Sequence, residues 1–369
     1  MPAAGEAAGP TAALSFARQT MPGRVVFGPD KLDAVEEEIS RVGARHVLLI
    51  AGGSARPAGD RAAARLGPRL AGRWTEVLGH VPVELAQRAR AECSRLGADC
   101  LVSIGGGAAV GLAKAIALSR GIPIVAVPTT YAGSEVTQVW GLTEGSRKTT
   151  GRSAAVLPRT VIYDPVLTLG LPAGVTASSG MNAMAHCVEA VYAPGANPVT
   201  TLLARDSIRT LAASLPALVT DPLDLGARCA ALYAAYLAGT AMAEAGTGLH
   251  HTICHVLGGM YNLPHADLHA VLLPHTVAFI ETRHPAALSG VAGALGGGSA
   301  GSALYDLAAR LGVAISLRQL GLSPDQLAAA VPQVAAAAAD HAAAPPTAAD
   351  VGAILDHALA GRRPAEHHG

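Results

Sequence analysis

The sequence has few aromatic residues, few charged residues and no excess of charge of either sign. Aromatic side chains make up 3% of the 369 residues and charged side chains 15%, while 27 basic residues balance 27 acidic ones. This balance gives no bulk electrostatic attraction to nucleic acid or to a membrane surface, so neither is expected as a partner. Because half of the residues are hydrophobic, we expect a large core of Ala, Val and Leu that is rich in helix.

The sequence also lacks paired cysteines, a leader segment and an apolar run of membrane length. Its five cysteines are odd in number and contain no C-x-x-C pair, which predicts buried thiols in a reducing compartment. The N-terminus has no basic start followed by a continuous apolar stretch, and no uncharged apolar run approaches the length of a membrane span. We therefore expect a cytoplasmic protein without a membrane partner.

The order of apolar runs along the chain predicts the fold class. Residues 46–51, 99–107 and 122–130 are apolar strands separated by Ala-rich helical runs, which is typical of a parallel sheet covered on both faces. After about residue 173 nearly every segment has helical spacing. The prediction is an N-terminal α/β domain over residues 1–160, a C-terminal all-helical domain over residues 161–369, and a cleft between the two.

Two loops that follow these strands are suited to a dinucleotide. Glycines without Cβ atoms and a helix N-terminus let a pyrophosphate approach the backbone, and hydroxyl side chains add hydrogen bonds. Ordinary turns remain the alternative. No acidic residue follows the early strand, where Gly52 and Gly53 lie instead, so both NADH and NADPH stay open. The candidate cofactor-binding residues are Gly105, Gly106, Gly107, Thr129, Thr130 and Ser134.

Residues 248–275 hold six of the 14 histidines. His251 and His255 are four residues apart and share one face of a helix, and His265 follows at the start of the next predicted helix. For His250, His269 and His275 taken singly, a core role is favoured. As a set, six titratable side chains in an apolar helical segment indicate a functional site rather than a core.

An earlier helix carries half of a metal-ligand pattern. Asn182 and His186 are four residues apart, so they lie on one helical face. A carboxylate at position 182 would complete a good divalent-metal pair, whereas an amide has no charge and is a weaker ligand. The sequence thus leaves open whether this helix binds a metal.

Four motifs together resemble the iron-containing alcohol dehydrogenase family. They are "GGG…LAKAIAL", "PTTYAGSE", "NAMAHCVEA" and "H-x-x-x-H-x-L-G-G-x-Y-N-L-P-H". Within this family the chain is most similar to the maleylacetate reductases, from about Arg24 to the C-terminal helices, and Gly111, Tyr131 and residues 140–152 favour the same group. The resemblance implies a dinucleotide-binding α/β domain, a helical domain and a homodimer.

The resemblance also implies a set of site residues. The ligands of the metal-dependent members match Asn182, His186, His251 and His265, and His255 matches a histidine near the nicotinamide. Asn182 stands where the family has its only anionic ligand, so a dipositive ion would be left uncompensated in an apolar cleft. We therefore predict that no metal is required. If one is bound, the ligands would be His186, His251 and His265.

The activity that the resemblance implies is NAD(P)H-dependent reduction of the carbon–carbon double bond of maleylacetate to 3-oxoadipate, in the degradation of aromatic compounds. Imidazoles can stabilise the enolate oxygen and donate the proton. A dicarboxylate substrate requires cationic groups in the cleft. A metal-dependent alcohol dehydrogenase of the same fold and a non-catalytic nucleotide-binding protein are the alternatives. The catalytic candidates are His251, His255, His186, His265 and Asn182, and the substrate-binding candidates are Tyr131, Lys148 and Arg152.

Overall fold

The computed structural model describes residues 23–145, 147–339 and 345–365. The strands are β1 (Arg24–Phe27), β2 (Val47–Ala51), β3 (Leu70–Trp74), β4 (Cys100–Gly105), β5 (Ile124–Pro128), β6 (Val139–Glu144), β7 (Arg147–Arg152) and β8 (Thr160–Tyr163). The helices are α1 (Val35–Arg41), α2 (Arg56–Leu66), α3 (Val83–Arg95), α4 (Gly107–Arg120), α5 (Ala173–Ala190), α6 (Pro198–Thr220), α7 (Leu225–Ala245), α8 (Leu249–Tyr261), α9 (His265–Glu281), α10 (Pro285–Ala294), α11 (Ala300–Arg310), α12 (Pro324–Ala339) and α13 (Ala348–Ala360).

Six strands form one parallel sheet in the order β1-β8-β5-β4-β2-β3. Every residue of β2, β4 and β5 is buried, because helices cover both faces of the sheet. This burial explains why these three strands are continuous apolar runs without alternation. The predicted strands at 46–51, 99–107 and 122–130 and the predicted parallel sheet are thus confirmed. The remaining two strands, β6 and β7, pair as an antiparallel hairpin.

After the sheet the chain is helical, as the sequence predicts. The central element is α5, whose residues from Thr176 to Ala190 are all buried. It packs against α6, α7 and α9, so its side chains face neighbours on every side. The last strand of the sheet, β8, ends at Tyr163, three residues beyond the predicted boundary at residue 160, because residues 161–163 continue the pairing with β1. The division into two domains stays a prediction.

The structure also bears on the membrane and thiol predictions. Over the described ranges, no helix is both long and apolar enough to cross a membrane. The five cysteines are free thiols, of which four are buried and Cys229 is partly exposed.

Candidate active site

The glycine-rich loop lies where the strand order of the sheet reverses. From β2 the chain proceeds outward to β3, whereas from β4 it proceeds in the opposite direction to β5 and β8. Connections therefore diverge at the carboxyl ends of β2 and β4, which is the position where open α/β sheets bind dinucleotides. The turn after β4 starts at Gly105, whose φ of +148° disfavours other residues, and its carbonyl accepts from the backbone N–H of Thr129 at 3.0 Å.

The glycines that follow β2 and β4 leave a cradle that side chains would fill. A Cβ added at Gly106 would lie 3.1 Å from the Oγ1 atom of Thr130, and one added at Gly52 would lie 2.3 Å from the carbonyl oxygen of Thr75. Gly106 is also the N-cap of α4, so no side chain caps the free N–H groups of that helix. The loops after β4 and β5 are thus in contact and fit a pyrophosphate at a helix N-terminus.

A buried lysine, which sequence reasoning missed, anchors the second loop. Lys114 on α4 is fully buried, and its Nζ donates to the carbonyl oxygens of Ser134, Thr137 and Val139 at 2.6, 2.9 and 2.8 Å. The same loop reaches α5, because the side-chain amide of Asn182 donates to the carbonyl of Ala132 at 3.4 Å. Lys114 therefore fixes the loop between the nucleotide cradle and the histidines.

Six imidazoles from three helices form one connected cluster. The rings of His186 and His251 stack with centroids 5.2 Å apart, and those of His255 and His265 stack at 6.1 Å. His269 lies between these pairs, with its ring centroid 4.7 Å from His251 and 4.3 Å from His265. The structure thus brings together all four predicted catalytic histidines, and it adds His250 and His269, for which a core role was favoured. His250 hydrogen-bonds His269 at 2.8 Å.

The burial of the cluster decides which imidazoles carry charge. Burial lowers the pKa of His186 and of His269 well below the ordinary value, and that of His250 to about 3. These three rings are therefore neutral at physiological pH. By contrast, His255 is exposed and His265 is partly exposed, so the open side of the cluster is formed by these two rings.

A buried carboxylate, also missed from the sequence, orients His251. The Oε1 atom of Glu189 accepts from the backbone N–H groups of His250 at 2.8 Å and His251 at 3.3 Å, and from the hydroxyl of Tyr192 at 3.2 Å. Its Oε2 atom bonds Nδ1 of His251. Burial alone would raise the pKa of Glu189, but the neighbouring His251 lowers it to about 2. Because the carboxylate is ionised, Nδ1 of His251 must carry a proton, and Nε2 is left for the cleft.

The positions that match the family's metal ligands fit a divalent iron ion poorly. Among the described residues, the matching set His186, His251 and His265 is not a group whose ligand atoms all lie within 4.8 Å of one another. The set itself contains no anionic ligand, and the carboxylate in contact with it, that of Glu189, bonds Nδ1 of His251.

A cavity of about 340 Å³ opens beside the cluster, between the β6–β7 hairpin and the turn from α8 to α9. His255 and His265 line it from one side, and His80 and Thr143 line it from the other. The backbone at His80 and Val81 has φ values of +59° and +47°, which are strained for residues with side chains. A cavity of this size, bordered by imidazoles, is suited to a small polar substrate.

A steric contact explains why position 111 is a glycine. A Cβ at this position of α4 would lie 2.9 Å from Cγ2 of Val81, so the strained segment beside the cavity requires a glycine there.

The predicted substrate-binding residues have different environments. Tyr131 is fully buried, and its hydroxyl accepts from the guanidinium of Arg228 at 3.2 Å, which supports a packing role. Arg152 is exposed, and its Nη2 donates to the carbonyl of Ala243 on α7 at 3.0 Å, so it lies between the hairpin and the helical region. Lys148 belongs to β7, but its side chain lies outside the described part of the chain. For all three, contact with substrate stays a prediction.

Comparison with known proteins gives matches along nearly the whole chain. Residues 22–165 match the family described as iron-containing alcohol dehydrogenase, and residues 176–359 match the C-terminal region of the Fe-containing alcohol dehydrogenase family. A maleylacetate reductase from Burkholderia cepacia is 50% identical over 81% of this chain and 85% of its own length. One from Rhizobium sp. (strain MTP-10005) is 45% identical over 95% of this chain and 99% of its own length.

Solved structures agree with these matches. The crystal structure of the maleylacetate reductase from Rhizobium sp. strain MTP-10005 superimposes with a TM-score of 0.90 at 44% identity, covering 95% of this chain and 99% of that one. A putative alcohol dehydrogenase from Ralstonia eutropha JMP134 gives a TM-score of 0.92 at 44% identity, covering 96% and 100%. The fold is thus shared with these solved structures.

Proposed function

The chain belongs to the iron-containing alcohol dehydrogenase family, and from that premise we propose that it is a maleylacetate reductase. The reaction is the NAD(P)H-dependent reduction of the carbon–carbon double bond of maleylacetate to 3-oxoadipate. The proposal is supported by relatives of that name at 45–50% identity. The observation that carries it within the site is Asn182, which places a neutral amide beside a connected histidine cluster where the family has an anionic metal ligand.

Alkene reduction can proceed without a metal. In the metal-dependent members of the family, the metal stabilises the alkoxide that forms during alcohol oxidation. Reduction of a double bond conjugated to a carbonyl needs instead a donor for the enolate oxygen and a proton for the neighbouring carbon. Imidazoles can supply both. We therefore propose that the enzyme works without a metal, and no step is assigned to one.

The nicotinamide cofactor, when bound, supplies the hydride. The residues proposed to hold its pyrophosphate are the glycines at 105–107, with Thr129, Thr130 and Ser134 contributing from the second loop. Both loops are partly accessible and in mutual contact. No acidic side chain follows β2 to hold the ribose hydroxyls, and Arg56 lies nearby, so NADPH is accommodated as well as NADH.

The histidines divide into proton donors and supports. His251 has its Nδ1 proton fixed by Glu189, so its Nε2 faces the reaction as either a donor or an acceptor. His255 and His265 line the cavity and can exchange protons with solvent. His186 and Asn182 are proposed to present buried, unpartnered polar atoms to the substrate. Arg152 and Lys148 are proposed to attract the two carboxylates, with Tyr131 as packing support.

The remaining features follow from the same proposal. A small dicarboxylate is the partner, the compartment is the cytoplasm, and the assembly is a homodimer.

The test is oxidation of NADH and NADPH, followed by absorbance, on adding maleylacetate to the purified chelator-treated protein. Turnover that survives chelation supports the proposal. Chelator-sensitive oxidation of simple alcohols without maleylacetate turnover would establish the metal-dependent alternative instead. Nucleotide binding without turnover of either substrate would support a non-catalytic role.

A further inference from the structure

Three side chains behind the reactive histidines form a compact set of metal ligands. His250 and Cys254 lie on adjacent turns of α8, and His269 lies on the facing turn of α9. Within the described ranges this is the one group of three or more His, Cys, Asp or Glu residues whose ligand atoms all lie within 4.8 Å of one another. All three side chains are fully buried.

The distances are close to those of a tetrahedral zinc site. Nε2 of His250 is 2.8 Å from Nδ1 of His269, and Sγ of Cys254 is 3.7 Å from the same Nε2. Tetrahedral bonds of ~2.1 Å to nitrogen and ~2.3 Å to sulfur would place the two nitrogens ~3.4 Å apart and the sulfur ~3.6 Å from a nitrogen. The two ring nitrogens therefore need to separate by about 0.6 Å.

We propose that His250, Cys254 and His269 bind a divalent cation of the zinc class, with a fourth position open to water. A thiolate with two imidazoles selects zinc and cobalt over magnesium or calcium, which require oxygen ligands. On binding, the Cys254 thiol releases one proton to solvent, and the proton shared between the rings moves to a non-ligating ring nitrogen. Nδ1 of His250 and Nε2 of His269 are available for it, since neither has a hydrogen-bond partner in the structure.

The charge around the set suits a dication. The Cys254 thiolate supplies one negative charge, and Glu189, which accepts from the backbone N–H of His250 at 2.8 Å, supplies a second close by. These negative charges lower the cost of placing a dication among the buried imidazoles.

The ion would occupy a different place from the family's metal. Cys254 lines the cavity of about 340 Å³, so the buried set adjoins the cleft. None of the three ligands belongs to the set Asn182, His186, His251 and His265. The ion would join α8 to α9, the two helices that carry His251 and His265. Its binding does not depend on which substrate the protein reduces.

The test is titration of the chelator-treated, reduced full-length protein with Co²⁺, followed by absorbance. We expect one equivalent to bind with a thiolate-to-cobalt charge-transfer band in the near ultraviolet, with release of one proton, and with displacement by Zn²⁺. Cys254→Ala should abolish the band. The matched control Cys229→Ala, which removes a thiol on α7, should keep it.

Thermal unfolding gives a second measurement of binding that does not depend on the cobalt band. Zn²⁺ should raise the Tm of the wild type and of Cys229→Ala but not that of Cys254→Ala. A second variant, His269→Ala, should lose the band as well. The proposal is overturned by absence of Co²⁺ binding, by bound Co²⁺ without a thiolate band, or by a band that persists in Cys254→Ala.

Discussion

Replacement of Glu189 by Gln tests whether a buried carboxylate sets the protonation of His251. The substitution conserves shape, and the two backbone N–H groups that point at Oε1 hold the amide carbonyl in that place. The new –NH₂ group must then face Nδ1 of His251, where the carboxylate oxygen is now. Two donors cannot face each other, so Nδ1 loses its proton and Nε2 gains one.

The expected cost is larger for catalysis than for folding. The exchange replaces one hydrogen bond to a charged group, worth about 1.5–3 kcal/mol, by a neutral one, so the free energy of unfolding should fall by roughly 1–2 kcal/mol. In the other tautomer, the ring of His251 no longer has an ionised hydrogen-bond partner at Nδ1. If it is the proton donor, kcat should fall by about 10²–10⁴-fold, while KM for NADH should change little.

The assay is steady-state oxidation of NADH with maleylacetate, together with denaturant unfolding of each variant. Tyr192→Phe is the matched control, because it removes another donor to the same carboxylate without touching His251. Its kcat should stay within about threefold of the wild type. The reasoning is refuted if Glu189→Gln is folded and also keeps kcat within that range.

Three further predictions address the metal, the substrate and the cofactor. Asn182→Asp places an anion beside His186. Metal content after incubation with Fe²⁺ or Zn²⁺, measured by elemental analysis, should therefore rise, while maleylacetate reduction should not become faster. Equal metal content in the variant and the wild type would contradict this. Arg152→Ala should raise KM for maleylacetate by about tenfold, equivalent to about 1.4 kcal/mol, and leave KM for NADH nearly unchanged. Replacement of the exposed Arg159 by Ala is the control. Equal small effects on both KM values would remove Arg152 from the site. In Gly106→Val the new Cβ would lie 3.1 Å from Thr130 and the added methyl groups would fill the cradle, so the Kd for NADH should rise at least about tenfold. The control Gly174→Ala adds a Cβ in open space and should leave this Kd unchanged.

The sequence alone determined the fold class and the outline of the site. Buried parallel strands must be apolar on both faces, so β2, β4 and β5 were readable as continuous runs. β3, with the sequence LAGRW and residues only partly buried, was not readable in this way. His186, His251, His255 and His265 were identifiable because helical spacing and motif resemblance both pointed to them.

Only the tertiary structure decided which other groups complete the site. Glu189 lies 62 residues before its partner His251, and Lys114 lies 20 residues before Ser134. No helical or strand period relates such pairs, because their contact depends on how separate helices pack. The sequence favoured a core role for His269, and the ring is fully buried; packing of α8 against α9 also places it at the centre of the cluster.

The physical reason is the range of each interaction. Local spacing fixes which side chains share the face of one helix, so the sequence could indicate a histidine site and the missing carboxylate at Asn182. Hydrogen bonds, burial and the resulting pKa values depend on neighbours that are distant along the chain. The ionised Glu189, the neutral His186 and the ligand set of His250, Cys254 and His269 therefore emerged only once α5, α8 and α9 were packed together.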